Sequence, residues 1–220
     1  VERAKELGMD SLAITDHGVM YGAIEFYLAA KEGGIKPIIG CEVYVAPDSR
    51  FSRNASDKNN YHLILLAKNQ TGYRNLIQLT TKAHLEGFYY KPRVDKELLE
   101  QYHQGLIALS GCIGGEVPRL TLEGRLQEAK QAASWYQRTF GDFYLEIMRH
   151  PTPEQEQINQ GLILMSNELD IPLVATNDAH YVNREDASAH DLLLCIGTNS
   201  SIYDDKRMKM AGDFFYLKSP

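Results

Sequence analysis

Short apolar runs recur along this chain, separated by stretches of helical spacing, and several of the runs end on a side chain able to bind a metal. SLAIT ends at Asp16 and His17, KPII runs through Gly40 and Cys41 to Glu42, GLIALSG ends at Cys112, and PLVATN ends at Asp178 with His180 just beyond it. YHLILLA (61–67) and FYLEIM (143–148) read as two further buried strands. Helical patterns cover 21–32, 71–85, 122–140, 153–170 and 185–196, and a turn with a short helix is expected around Pro92. Strand-length apolar runs alternating with longer amphipathic segments are the pattern of repeated βα units around a mostly parallel sheet. Six strand candidates in 220 residues approach a (β/α) barrel short of its first unit, since such barrels need about 250 residues. An open doubly wound sheet is the alternative, and both architectures place functional groups at the carboxyl ends of strands.

Composition narrows the class. With 44% hydrophobic and 24% charged residues, the chain can bury one substantial core, so a single α/β domain is expected. No apolar run reaches the ~18 residues of a membrane span, and the opening VERAKELGMD lacks a secretory signal pattern, so a soluble, cytoplasmic protein is expected. Cys41, Cys112 and Cys195 are odd in number and widely spaced, which points to reduced thiols. A formal net charge of −6 would repel a nucleic-acid backbone, so contact with DNA would be local or depend on other domains. The chain opens without Met, directly in an amphipathic helical pattern, and reads as a fragment with upstream residues missing. The polar stretch 48–60 reads as an exposed, mobile loop.

The candidate ligands gain weight from their number. An Asp after a strand is commonly a helix cap, and a lone cysteine commonly packs as a small hydrophobe. Four metal-capable strand ends that a parallel barrel would bring together are harder to dismiss. Imidazole, carboxylate and thiolate together suit zinc, whereas imidazole and carboxylate suit manganese or iron. Cys41 alternates with Glu42 and should face the other side of the sheet, and Cys195 sits in an apolar helical run. His62 stands at the beginning of its strand, where strand-end reasoning does not favour it. His84, His103 and His190 read as surface residues. Arg149 and His150 follow FYLEIM and are positioned to meet a substrate phosphate at the same rim.

SLAITDHGVMYGAIEFY, PIIGCEVYVAP, YHLILLAKNQTGYRNL, GFYYKPRVD, GLIALSGCIGGEVP and ATNDAHYVNREDASAHDLLL occur here in order. Together they resemble the PHP (polymerase and histidinol phosphatase) domain of bacterial DNA polymerase III alpha subunits, over nearly the whole chain. The resemblance implies a distorted (β/α)7 TIM-like barrel lacking its first strand, with a PHP domain over 1–200 and a segment leading toward a polymerase module over 201–220. It implies metal ligands at His17, Glu42, His62, Cys112, Asp178 and His180, with Glu42 bridging two ions and Glu42, Asp178 and His180 catalytic. The implied cofactors are divalent ions, zinc or manganese, up to three in an intact site. Fewer are expected here, because the family's opening HxH ligands would lie upstream of Val1. The implied activity is that of a DNA polymerase, a nucleotidyltransferase, whose PHP domain is a metal-dependent 3′–5′ exonuclease. Its implied partners are DNA, polymerase domains of the same chain, a separate exonuclease subunit and the sliding clamp, with no membrane. A non-catalytic platform and a histidinol-phosphatase-like enzyme are the competing readings.

Overall fold

Helix boundaries fall where the sequence supplies caps. Helix α1 (Glu2–Glu6) is short; α2 (Ala23–Gly33) stops where Gly34 turns left-handed at φ 72°. Helix α3 (Gln70–Leu85) begins where the Asn69 side chain accepts a hydrogen bond from Gly72 N, and α4 (Lys96–Tyr102) where Asp95 does the same for Leu98 N. Helix α7 (Pro153–Leu169) starts with a proline behind a Thr152 cap. Helix α5 (Glu116–Leu122) was not expected; the helix expected over 122–140 is α6 (Leu126–Phe140), which starts after Gly124 at φ 73°. Helix α8 (Ala187–Thr198) closes the series. These elements come from a computed structural model, which describes residues 1–54 and 59–220.

The strands are β1 (Ser11–Ile14), β2 (Lys36–Val45), β3 (Tyr61–Ala67), β4 (Arg93–Val94), β5 (Leu106–Leu109), β6 (Phe143–Met148) and β7 (Leu173–Thr176). They form one sheet in the order β1-β2-β3-β5-β6-β7, with β4 attached to β2. All pairings are parallel except those of β3, which runs antiparallel to both β2 and β5. The expected parallel sheet therefore has one reversed strand. Glu42 does not end its strand either, because the alternating VYV that follows carries β2 on to Val45. The sheet curls until its two edge strands, β1 and β7, line a single cavity, which gives the distorted, TIM-like character expected.

Period-two alternation divides the strands between two faces. Cys41, Val43, Leu63, Leu65, Ala108 and Leu145 join the core that packs beneath the helices. Their neighbours Glu42, Ile64, Leu66, Leu109 and Glu146 face the concave side. The sheet thus presents an apolar face to its helices, while its concave face mixes apolar side chains with the carboxylates of Glu42 and Glu146.

The segment after β2 is anchored rather than loose at both described ends. Asp48, Phe51, Arg53, Asn54 and Asn59 are exposed as expected over 48–60, but Arg50 and Asn60 are buried; residues 55–58 of that stretch lie outside the described residues. Arg50 Nη1 pairs with Asp95 Oδ1 at 2.9 Å, and the fully buried Arg93 donates to the carbonyls of Gly87, Arg50 and Ser52. A buried guanidinium is tolerable only when its donors are satisfied in this way. The KPRVD segment accordingly supplies the Arg93 anchor and the α4 cap, so the short helix expected after Pro92 is present, and it adds the unexpected strand β4.

One close approach tests the packing of α3 on the sheet. A Cβ at Gly72 would lie 1.8 Å from the Gly105 carbonyl oxygen. Gly72→Ala is expected to cost about 1–3 kcal/mol of stability, read as a lower denaturant midpoint with an unchanged slope.

Candidate metal centre

The reversal of β3 decides which residues meet. In an antiparallel strand the amino end lies beside the carboxyl ends of its neighbours, so His62, opposite Tyr44 of β2 and bridged to Gly115 beyond β5, reaches the rim after all. The chain leaving β1 continues alongside β2, and His17 bridges to Glu42. A cavity of about 680 Å³ is lined by His17, Glu42, Cys112, Glu146, Asp178 and His180. The six proposed ligand positions thus occupy one neighbourhood: the His17 ring centre lies 6.2 Å from that of His62 and 5.8 Å from that of His180.

Glu42 is the focus of this neighbourhood. It is 4% exposed, and its Oε1 lies 2.7 Å from His62 Nδ1 and 3.2 Å from His17 Nε2. Neither approach has the direction of a hydrogen bond, so Oε1 is a buried oxygen crowded by two imidazoles with no donor aimed at it. Cys112 Sγ stands 3.7 Å from the same His62 Nδ1, and ligand atoms of Glu42, His62 and Cys112 all lie within 4.8 Å of one another. A nitrogen, an oxygen and a sulfur converging in this way, with the His17 nitrogen 3.2 Å from the same oxygen, fit a divalent cation of borderline softness. On the other side of the mouth, Asp178 Oδ1 lies 3.4 Å from His180 Nε2, and Asp178 itself adopts φ 48°.

The electrostatics show a surplus of negative charge. Burial alone would push the Glu42 carboxyl up, but the adjacent His17 and His62 outweigh it and hold it at about 2. The same proximity raises His17, mainly through Glu42 and against the effect of burial. Burial, then Asp178 and Glu42, drive the Cys112 thiol upward, so a proton must leave it before it can ligate a cation. Burial, reinforced by the charges of Asp178 and Glu42, pushes Glu146 up to about 7, although hydrogen bonds from Thr176 and Gly111 pull the other way.

The other candidates have different surroundings. Asp16 also lines the cavity, and its Oδ2 accepts a hydrogen bond from Gly22 N at 3.0 Å, which shapes the turn that presents His17. Cys41 is buried in the core with its thiol on the Asp16 carbonyl, and burial pushes it up to about 12. Arg149 is exposed at the end of β6, while the His150 ring donates from Nε2 to the Asn177 carbonyl at 3.1 Å and packs against Phe214 and Phe215. His84 is exposed with Nε2 3.1 Å from the Gly18 carbonyl oxygen.

Sequence reasoning missed several residues. Glu146 had one available signal, a carboxylate inside the apolar strand FYLEIM. His190 was expected at the surface, yet its ring, in the first turn of α8, lies 5.3 Å from that of His180. Lys91 stands 5.3 Å over the Tyr44 ring and lowers the His17 pKa. The tail without a firm pattern also reaches the centre: the Phe215 carbonyl accepts from His180 N at 2.8 Å, and Leu217 lines the cavity.

Residues 1–150 match the sequence profile of the family described as PHP domain. The DNA polymerase III subunit alpha of Borreliella burgdorferi is 52% identical over 222 aligned positions, which cover 100% of this chain and 19% of that protein. The subunit of the same description from Treponema pallidum is 51% identical over 223 positions, again covering 100% of this chain and 19% of the relative. The chain therefore spans about one fifth of the length of these curated relatives. A crystal structure of a Bifidobacterium adolescentis protein catalogued as a metal-dependent phosphoesterase superposes at a TM-score of 0.40 and 12% identity, over 81% of this chain and 80% of that one, too loosely to carry weight.

Glu146 predicts a pH dependence. Its folded pKa of about 7 exceeds the unfolded value of about 4.3, so its contribution is favourable below that value and is lost as pH rises through 7, by about 3 kcal/mol. In metal-free protein, the unfolding free energy of the wild type is expected to fall by this amount relative to Glu146→Gln between pH 4.5 and 8. Parallel profiles would contradict the assignment.

Proposed function

The chain belongs to the PHP domain family, and from that premise we propose that it is the metal-dependent phosphoesterase part of a DNA polymerase III alpha subunit, acting in the full-length protein as a 3′–5′ proofreading exonuclease. The observation that carries the reading is the buried Glu42 Oε1, within 3.2 Å of His17 and 2.7 Å of His62, with the Cys112 thiol beside the latter. The proposed ligands are His17, Glu42, His62, Cys112, Asp178 and His180, for zinc or manganese. Residues 1–200 form the phosphoesterase domain on this reading, and 201–220 lead toward polymerase domains in the same chain.

Divalent ions bound there would lower the pKa of water and offset the charge of a scissile phosphodiester. The protein's own contribution is geometric and electrostatic. Glu42, depressed to about 2, remains ionised throughout the physiological range and bridges the His17 and His62 sides of the pocket. Asp178 stands beside His180, its Oδ1 3.4 Å from Nε2, so that the two donors can face one cation. Arg149 and His150 contact the phosphate on this reading. DNA is the substrate, held largely by other domains because the net charge here is −6; a separate exonuclease subunit and the sliding clamp are the proposed protein partners. Among the described residues no helix is long and apolar enough to cross a membrane, and a cytoplasmic location accords with replication.

The test is made on the full-length protein with a primer mispaired at its 3′ end. Bound metal together with single-nucleotide release is the expected result, and Asp178→Asn should reduce both by at least about tenfold. Undiminished metal and rate in that variant would remove Asp178 from the centre; no metal in the wild type would leave a structural platform, and turnover of small phosphomonoesters alone would make it a phosphatase. Arg149→Ala should raise KM more than it lowers kcat, as loss of a ground-state phosphate contact does; an unchanged KM would count against that role.

A further inference from the structure

Glu146 sits in the middle of β6 and is 4% exposed. Both of its carboxylate oxygens are engaged: Oε2 accepts from Gly111 N at 2.8 Å, and Oε1 accepts from Thr176 Oγ1 at 2.6 Å. Its own backbone N–H donates to Ser110 Oγ at 2.8 Å, where the β5–β6 ladder has ended. Gly111 precedes Cys112, and Thr176 closes β7 just before Asn177 and Asp178. One side chain therefore ties together the two loops that deliver the thiol and the second carboxylate.

Those loops need an external tie. Gly111 adopts φ 80° and Asp178 φ 48°, both left-handed, so neither segment continues as regular strand with ladder bonds to hold it. Strand β6 lies between β5 and β7 in the sheet, so a residue on its concave face is equidistant in strand order from both. A carboxylate there can accept from both neighbours at once. An apolar residue would leave a buried N–H and a buried hydroxyl without an acceptor, and the loops would shift to find other partners.

We propose that Glu146 is a positioning residue of the centre, setting the separation of Cys112 from Asp178 by holding Gly111 and Thr176. The proposal rests on the metal-centre reading above and goes beyond it by assigning Glu146 a role separate from ligation. Its two oxygens are already occupied by protein donors, so the group acts through its neighbours. Gln can do the same work, since its carbonyl accepts from Gly111 N–H while its amide donates to a rotated Thr176 hydroxyl; Leu cannot.

The test is a cobalt(II) titration of the full-length protein, in which a thiolate-to-cobalt charge-transfer band reports the Cys112 bond and Cys112→Ser identifies that band by removing it. Glu146→Leu is expected to weaken cobalt binding about 10- to 100-fold, the usual effect of losing an outer partner of a ligand, and to diminish the band at saturating metal. Glu146→Gln should restore affinity to within a few fold and recover the band, and Thr176→Val, which removes one of the two bonds, should fall between. A full-strength band and unchanged affinity in Glu146→Leu would overturn the proposal. So would a Glu146→Gln variant as impaired as Glu146→Leu, which would make the charge itself the operative feature. If Glu146→Leu does not fold, Thr176→Val decides: wild-type affinity with an unaltered band rejects the tie. A wild-type protein that takes up no cobalt would instead reject the metal-centre reading, and the positioning role with it.

Discussion

The reversal of a single strand organises the site. Strand β3 lies antiparallel between β2 and β5, so its amino end joins a rim otherwise made of carboxyl ends. Were it parallel, His62 would lie at the opposite end of the sheet, and Glu42 would lose its 2.7 Å neighbour. Glu42 would then be a buried carboxylate with only the half-exposed His17 to oppose the cost of desolvation. The topology of the sheet and the ionisation of its central carboxylate are therefore one problem with one solution.

Around that carboxylate the pocket is over-supplied with acidic groups. Glu42, Glu146 and Asp178 line the same cavity, and burial, with the charges of Asp178 and Glu42 added to it, raises the pKa of Glu146 and of the Cys112 thiol. Such a pocket does not optimise the stability of the protein by itself. Functional sites commonly retain groups at odds with their own burial, and a cation would turn the repulsion into coordination. The surrounding structure holds these groups through fixed hydrogen bonds: Gly111 N and Thr176 Oγ1 donate to Glu146, Gly22 N donates to Asp16, and the backbone N–H of His180 donates to the Phe215 carbonyl.

How much of this was legible beforehand depended on how local its cause was. Alternation separated Cys41 from Glu42 correctly, because adjacent residues of a strand must face opposite ways; one joins the core and the other the cavity. Gly33 and Gly34 marked the end of α2 for an equally local reason. The start of α6 at Leu126 rather than Leu122 was less legible, since a glycine such as Gly124 within a helical pattern is often tolerated. Glu146 could have been flagged as a charge in an apolar strand, but only its partners across the sheet reveal why it is there. Nothing local marked His190, whose ring meets that of His180 only in the folded chain.

By itself the sequence determined which chemical groups stand near strand termini, which faces they take, and, through motifs spread over most of its length, the family. Only the tertiary structure decided that β3 runs backwards, that β1 and β7 curl to share a cavity, and that the tail pairs with the loop bearing His180. The physical reason is that a period of two reads the same in either direction: alternation specifies the face of a strand, whereas its orientation is set by which neighbours it pairs with, and those lie far away along the chain.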